Sequence, residues 1–161
     1  MELPKRKKMR LDGYDYSQNG AYFITICTHN RKILFGVVGE DSISSRMIDT
    51  VFHRIIKQYP HITCPQYVVM PNHFHAIVIV ERADMESAPT TISEFIQSFK
   101  RYSTLEYIKM VKQDLLPCFE KHIWQRSFYD RVIRSEQEYQ NVWQYINENP
   151  LKWEEDCYYI P

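Results

Sequence analysis

Two histidines one residue apart, His73 and His75, stand in the most apolar run of the chain, Val68-Val69-Met70-Pro71-Asn72-His73-Phe74-His75-Ala76-Ile77-Val78-Ile79-Val80. Imidazole nitrogens ligate divalent metals, and two of them on one strand face can share a single ion. The run is rich in Val, Ile and Phe, so strand is expected, and Pro71-Asn72 divides it into a hairpin with a tight turn. Side chains alternate along a strand, which aims His73 and His75 to one face and Phe74 to the other, into a core. A His-x-His pair alone is more often a pair of partly exposed strand residues without a ligand, so further chemistry has to come from elsewhere in the chain.

The last amphipathic segment supplies a second candidate. Ser135-x-x-Glu138 is a capping-box pattern that opens a helix, and Pro150 must end it. Tyr139, Val142, Trp143 and Ile146 recur on one face of that helix, and Tyr145 and Asn149 stack one turn apart at its border. A border position can face a sheet and still reach solvent. A tyrosine hydroxyl is a poor nucleophile at its free pKa of about 10. Metal polarisation of the group it attacks compensates for that. A covalent intermediate keeps the bond energy of a phosphodiester for later rejoining. Two histidines, a tyrosine and an amide one turn on are therefore a workable set for phosphodiester cleavage.

The elements that must position these groups can be read in order. Residues 21–28 are β-branched and aromatic and predict a first strand, with a possible short strand at 33–38. Met47, Ile48, Val51, Phe52, Ile55, Ile56 and Tyr59 recur at helical spacing behind Ser42 or Ser45, and Pro60 stops that helix. The hairpin follows at 66–70 and 73–80, and a polar loop covers 81–90. Thr91-x-x-Glu94 begins a helix over 92–110, with Phe95, Ile96, Phe99, Leu105 and Ile108 as its apolar stripe. A loop around Pro117 precedes an aromatic, β-branched segment at 123–133 that could be a further strand. The order β-α-β-β-α-β plus a helix predicts an α+β, ferredoxin-like (split βαβ) antiparallel sheet with helices on one face, and an extra C-terminal helix carrying the tyrosine. The hairpin strands are expected in the middle of the sheet.

At 161 residues the chain suits a single domain, 1–161, and its first twelve residues are expected to form a basic, flexible arm. Lysine plus arginine balance aspartate plus glutamate at 20 each, so net charge alone announces no nucleic-acid partner. The distribution is uneven: Lys5, Arg6, Lys7, Lys8 and Arg10 cluster at the start, and Glu154, Glu155 and Asp156 near the end. Cys27, Cys64, Cys118 and Cys157 are widely spaced with no C-x-x-C pair, which argues against a zinc knuckle and a disulfide framework. The basic start lacks an apolar run behind it, and no segment is apolar for long enough to span a bilayer, so a cytoplasmic protein is expected.

Taken together, these stretches resemble the single-tyrosine HUH endonucleases, and most closely the REP-associated tyrosine transposases. The motif named by that acronym, histidine, bulky hydrophobic residue, histidine, is His73-Phe74-His75. Gly13-Tyr14-Asp15-Tyr16, Tyr22 to Thr28, Trp124-Gln125-Arg126-Ser127-Phe128-Tyr129, Val132-Ile133-Arg134 and Tyr145-Ile146-x-x-Asn149-Pro150 follow in the same order as in that family. The resemblance implies that His73 and His75 bind a divalent metal, Mg²⁺ or Mn²⁺, and that Tyr145 is the nucleophile. Related transposases place a glutamine one turn after the tyrosine as third ligand; here that position is Asn149. The activity implied is site-specific cleavage and rejoining of single-stranded DNA through a 5′-phosphotyrosine intermediate, on hairpin-forming REP-like repeats, by a monomer or homodimer that is nucleoid-associated when bound. Candidates for backbone contact are Lys5, Arg6, Lys7, Lys8, Arg10, Lys100, Arg101, Arg126 and Arg131. The rival reading is a non-catalytic RRM-like module that binds RNA or single-stranded DNA, but no RNP1-like string occurs and the histidines would be unexplained. A small zinc hydrolase is a third class, and no third histidine or carboxylate stands at a recognisable spacing for it.

Overall fold

A computed structural model describes residues 14, 18–38, 40–81 and 91–161. Four strands, β1 (Gly20–Cys27), β2 (Ile62–Met70), β3 (His73–Val80) and β4 (Tyr129–Ile133), alternate with helices α1 (Ile43–Ile56), α2 (Ile92–Lys112) and α3 (Glu136–Glu148). Short 3₁₀ turns cover His29–Arg31 and Trp153–Glu155. The strands form one antiparallel sheet in the order β2-β3-β1-β4. This is the expected split βαβ arrangement, with one correction: only β3 of the hairpin is central, and β2 forms an edge. The α1 crossover carries the chain past one strand position, and β3 then folds back into the gap between β1 and β2.

Each helix starts where its cap demands. The Ser42 hydroxyl accepts from Ser45 N at 3.0 Å, and Thr91 with Glu94 forms a complete capping box. Gly36, at φ +85°, lies in the loop before α1, where a Cβ would come within 2.5 Å of Ser42, so the backbone there needs glycine. The segment 33–38 is not a strand; its Phe35 instead plugs the core from a loop and packs its ring 5.0 Å from Trp124. On α2 the buried stripe runs through Phe99, Ser103 and Tyr107, while Leu105 faces solvent. The Ser103 hydroxyl returns its proton to Phe99 O at 2.7 Å and accepts from Trp124 Nε1 at 2.8 Å, so a polar side chain is satisfied inside the stripe. The strand expected at 123–133 shrinks to Tyr129–Ile133, preceded by a single bridge between Thr28 and Trp124.

The sheet has two differently covered faces. Phe74, Ala76, Val78 and Val80 of β3, with Tyr22, Ile24 and Ile26 of β1, pack under α1 and α2. Phe52 centres this layer, with ring centroids 4.9 Å from Phe74 and 5.6 Å from Phe99. The opposite face carries a smaller cluster in which Val142 and Ile146 of α3 cover Ile77 of β3. Further along that face lie His73 and His75. Edge strand β2 breaks its pairing with β3 between Thr63 and Gln66, where Pro65 lacks an amide hydrogen to donate. The loop expected at 81–90 falls, beyond Glu81, outside the described residues.

Candidate active site

His73 and His75 share a face as their spacing predicts, but they are buried rather than partly exposed: each is at most 1% accessible. Three elements cover them. The Tyr158 ring lies 4.7 Å from His73 and 5.8 Å from His75, Trp153 lies 5.8 Å from His73, and Tyr145 of α3 lies 5.3 Å from His75. The segment after α3 folds back over the strand ends, a tertiary feature with no local signature.

Each imidazole is oriented through its Nδ1. His73 Nδ1 donates to Asn72 Oδ1 at 2.8 Å, which leaves Nε2 with its lone pair. Asn72 is itself fixed, its amide donating to Tyr158 O at 2.8 Å and Arg31 O at 3.2 Å. His75 Nδ1 is hydrogen-bonded to Thr25 Oγ1 at 2.8 Å. Burial holds both rings in the neutral form that can ligate. It lowers the His73 pKa to about 4, against the opposing pulls of the Asp156 carboxylate and the Asn149 amide. It lowers His75 well below the usual value, helped by repulsion from His73.

Asp156 completes the cluster. Its side chain is inaccessible to solvent, with Oδ2 3.9 Å from His73 Nε2. One donor atom each from His73, His75 and Asp156 lie within 4.8 Å of one another. Oδ2 accepts from Asn149 Nδ2 at 2.5 Å and from the Tyr145 hydroxyl at 3.2 Å, and Oδ1 accepts from Tyr158 N at 2.7 Å. Arg31, at φ 54°, pins this segment: its guanidinium donates to Cys157 O at 3.1 Å and lies 5.3 Å from the Tyr158 ring centre. The Tyr145 hydroxyl sits 3.5 Å from His75 Nε2, so tyrosine, histidines and carboxylate meet at one point. Burial, and then the adjacent carboxylate, push the Tyr145 pKa up, away from the phenolate form. A cleft of about 210 Å³, lined by Tyr145, Glu148, Asn149, Lys152, Glu155 and Asp156, lies beside this point between α3 and the segment that follows it.

Two buried polar atoms here have no hydrogen-bond partner, His73 Nε2 and Asn149 Oδ1. Such atoms cost about 1–3 kcal/mol each when left unpaired. A cation would satisfy acceptors of this kind, and two imidazoles with one carboxylate leave open positions for further ligands. Ligands sharing one ion at about 2.1 Å stand roughly 3–4 Å apart, so the present set needs only small side-chain adjustments.

The remaining residues singled out from the sequence are dispersed. Lys100 is engaged, its ammonium donating to Gln125 O at 2.9 Å and Ser127 O at 2.8 Å, and burial lowers its pKa to about 8. Arg131 pairs with Glu138 at 2.6 Å. Arg101 is exposed on α2 beside Tyr102, and Arg126 is exposed at the start of the β4 segment. Lys5, Arg6, Lys7, Lys8 and Arg10 lie outside the described residues. Tyr129, the exposed tyrosine of β4, pairs with Thr25 across β4 and β1 and is 43% accessible. All four cysteines are free thiols. Among the described residues no helix is long and apolar enough to cross a membrane.

A ferredoxin-like sheet with two inward histidines and a helix-borne tyrosine beside them defines a class, the HUH-type transposase fold. The chain belongs to the IS200-like transposase family, whose model matches residues 16–149. It is 24% identical to a REP-associated tyrosine transposase of Escherichia coli K12, over 85% of this chain and 70% of that one. A Haemophilus influenzae protein without assigned function is 29% identical over 96% of this chain and 93% of its own length. The solved structure of a REP-associated tyrosine transposase bound to a REP hairpin superposes with a TM-score of 0.65 at 23% identity, covering 90% of this chain and 74% of the other. Asp156 lies beyond the family match, which ends at Asn149.

Proposed function

We propose that this transposase is a metal-dependent, site-specific endonuclease and strand transferase for single-stranded DNA, acting on hairpin-forming REP-like repeats. The observation that carries the reading is the meeting of the Tyr145 hydroxyl with His75 Nε2 and Asp156 Oδ2, at 3.5 and 3.2 Å, in a chain of this family. His73, His75 and Asp156 would hold a Mg²⁺ or Mn²⁺ ion, with Asn149 orienting the carboxylate through its amide. A bound divalent ion supplies Lewis-acid polarisation of the scissile phosphate and opposes the rise of the Tyr145 pKa.

The chain's own groups account for the rest. Asp156 and the ring of His75 hold the Tyr145 hydroxyl beside the cleft. The tyrosine oxygen attacks phosphorus and gives up its proton, the P–O3′ bond breaks, and that proton is balanced by the one the departing oxygen takes up as a 3′-hydroxyl. The 5′-phosphotyrosine keeps the bond energy, and attack by another 3′-hydroxyl reverses the step and joins the strands. Thr25 and Asn72 keep both Nε2 atoms facing inward throughout.

The test is a labelled single-stranded hairpin with a single-stranded flank, incubated with Mn²⁺ and run on a denaturing gel. The expected result is a protein–DNA adduct that chelator abolishes, that fully paired duplex does not form, and that Tyr145→Phe lacks. An adduct that survives in Tyr145→Phe and disappears in Tyr129→Phe would move the nucleophile to β4.

A further inference from the structure

One half of the site-bearing sheet face carries aromatic surface that the chemistry above leaves unused. Helix α3 packs over β2 and β3; at the beginning of β4 Tyr129 is 43% accessible, whereas Thr25 beside it on β1 is 3% accessible. Alternation places Phe23 and Thr25 of β1 on this face, with Tyr129 directly across from Thr25 and Arg131 across from Phe23. Tyr129 is thus the diagonal neighbour of Phe23, within reach of an aromatic ring. Phe23 is half-buried and stands edge-on to Tyr145, with centroids 5.8 Å apart. Tyr129 and Tyr145 are 43% and 40% accessible. Three partly open rings, those of Phe23, Tyr129 and Tyr145, thus lie on this part of the face.

A second cleft lies where the segment before β4 runs beside the end of β1. Beyond the first residue of β4 the chain runs back along β1, with Gln125 N donating to Cys27 O at 2.9 Å. There His29, His122, Gln125 and Arg126 line a cleft of about 540 Å³ floored by Trp124. The His29 and His122 rings lie edge-on at 5.6 Å, and Arg126 is exposed. Lys100 fixes the segment between cleft and aromatic surface through its bonds to Gln125 O and Ser127 O. Rings at one end and donors at the other match the alternating needs of a single strand, whose bases stack and whose phosphates seek hydrogen-bond donors and positive charge.

We propose that Phe23 and Tyr129 form a stacking platform for the nucleotide next to the scissile phosphate, and that the strand runs from Tyr145 over β1 and β4 into the His29–His122–Arg126 cleft. This rests on the single-strand DNA reading above. It gives Tyr129 a binding role in place of a nucleophilic one. Stacking is indifferent to base identity, so the platform contributes affinity and positioning for the flank, and it leaves duplex recognition to other surfaces.

The experiment uses the full chain with Tyr145→Phe, which removes cutting, and two oligonucleotides: a hairpin with a single-stranded flank and the same hairpin without it. 2-Aminopurine is placed at successive flank positions, and its fluorescence is quenched where a base stacks. Adding Tyr129→Leu should weaken binding of the flanked hairpin about tenfold and relieve the quench at one position. Tyr129→Phe, which keeps the ring, should restore both. Arg126→Ala should weaken flanked binding and flatten its salt dependence without relieving that quench. The hairpin without a flank should bind all variants alike, which also shows that they fold. Equal affinity and equal quench in the parent and Tyr129→Leu would overturn the platform alone. A parent that binds neither oligonucleotide would overturn the transposase reading and the platform with it.

Discussion

The two faces of β3 are built to opposite rules. Phe74, Ala76, Val78 and Val80 enter a continuous apolar layer in which the aromatic rings of Phe52, Phe95 and Phe99 close around them. His73 and His75, on the other side of the same strand, are equally inaccessible, yet they lie among hydroxyl, amide and carboxylate groups with two atoms unpaired. Burial on the first face is its own reward, because apolar surface leaves water. Burial on the second is costly until something satisfies the orphaned atoms. One strand thus separates a layer that sustains the fold from a layer whose stability is given up for chemistry.

Substitutions on the two sides should expose that difference. Phe74→Ala should lower the stability of the metal-free protein by about 3–5 kcal/mol in urea denaturation, the usual range for emptying such a site. A comparable loss from Asp156→Ala would show that the second face also sustains the fold.

Asp156→Ala should act on ligand binding instead. Mn²⁺ affinity measured by calorimetry should fall more than about 100-fold, and the rise in Tm that Mn²⁺ gives the parent should vanish. Asn149→Ala should weaken Mn²⁺ less, because it removes the donor that steadies the carboxylate. The reverse order would make Asn149 the third ligand.

The pH response should sharpen the contrast further. Both histidine pKa values are lowered by burial, His73 to about 4, so the unfolded chain binds more protons between about 6.5 and 4. Stability is therefore complete above about 6.5 and declines as pH falls toward 4, by up to about 1.4 kcal/mol per pH unit for each histidine. Urea titrations at several pH values check this. A flat response over that interval would mean that the rings stay accessible to protons in the folded state.

The smallest effect on stability belongs to Tyr145→Phe. The ring remains against Phe23 and His75 and only the hydroxyl's long contacts with Asp156 and His75 are lost, so the change should stay below about 1 kcal/mol while adduct formation disappears.

Much of this was legible in the residue order. Alternation put His73 and His75 on one face, the capping serines and threonine placed all three helices, and the spacing of Tyr145 and Asn149 put them one turn apart at the right border. What escaped depends on contacts between distant segments. Asp156 read as one of three adjacent acidic residues, and only the fold-back held by Arg31 and Asn72 separates it from Glu154 and Glu155. The burial of the histidines, the loop position of Phe35 and the work of Lys100 within its own chain have the same origin. Each is decided by what arrives from elsewhere in the chain.

The irregular edge of β2 has a consequence of another kind. A regular edge strand offers its free amides and carbonyls to any extended segment that collides with it. Here the break between Thr63 and Gln66 bends that row. The opposite edge, β4, is only five residues long. Both flanks of the sheet are thereby poor templates for intermolecular strand addition. A chain whose hairpin contains so many consecutive β-branched residues is guarded against fibrillar self-association without surrendering any of them.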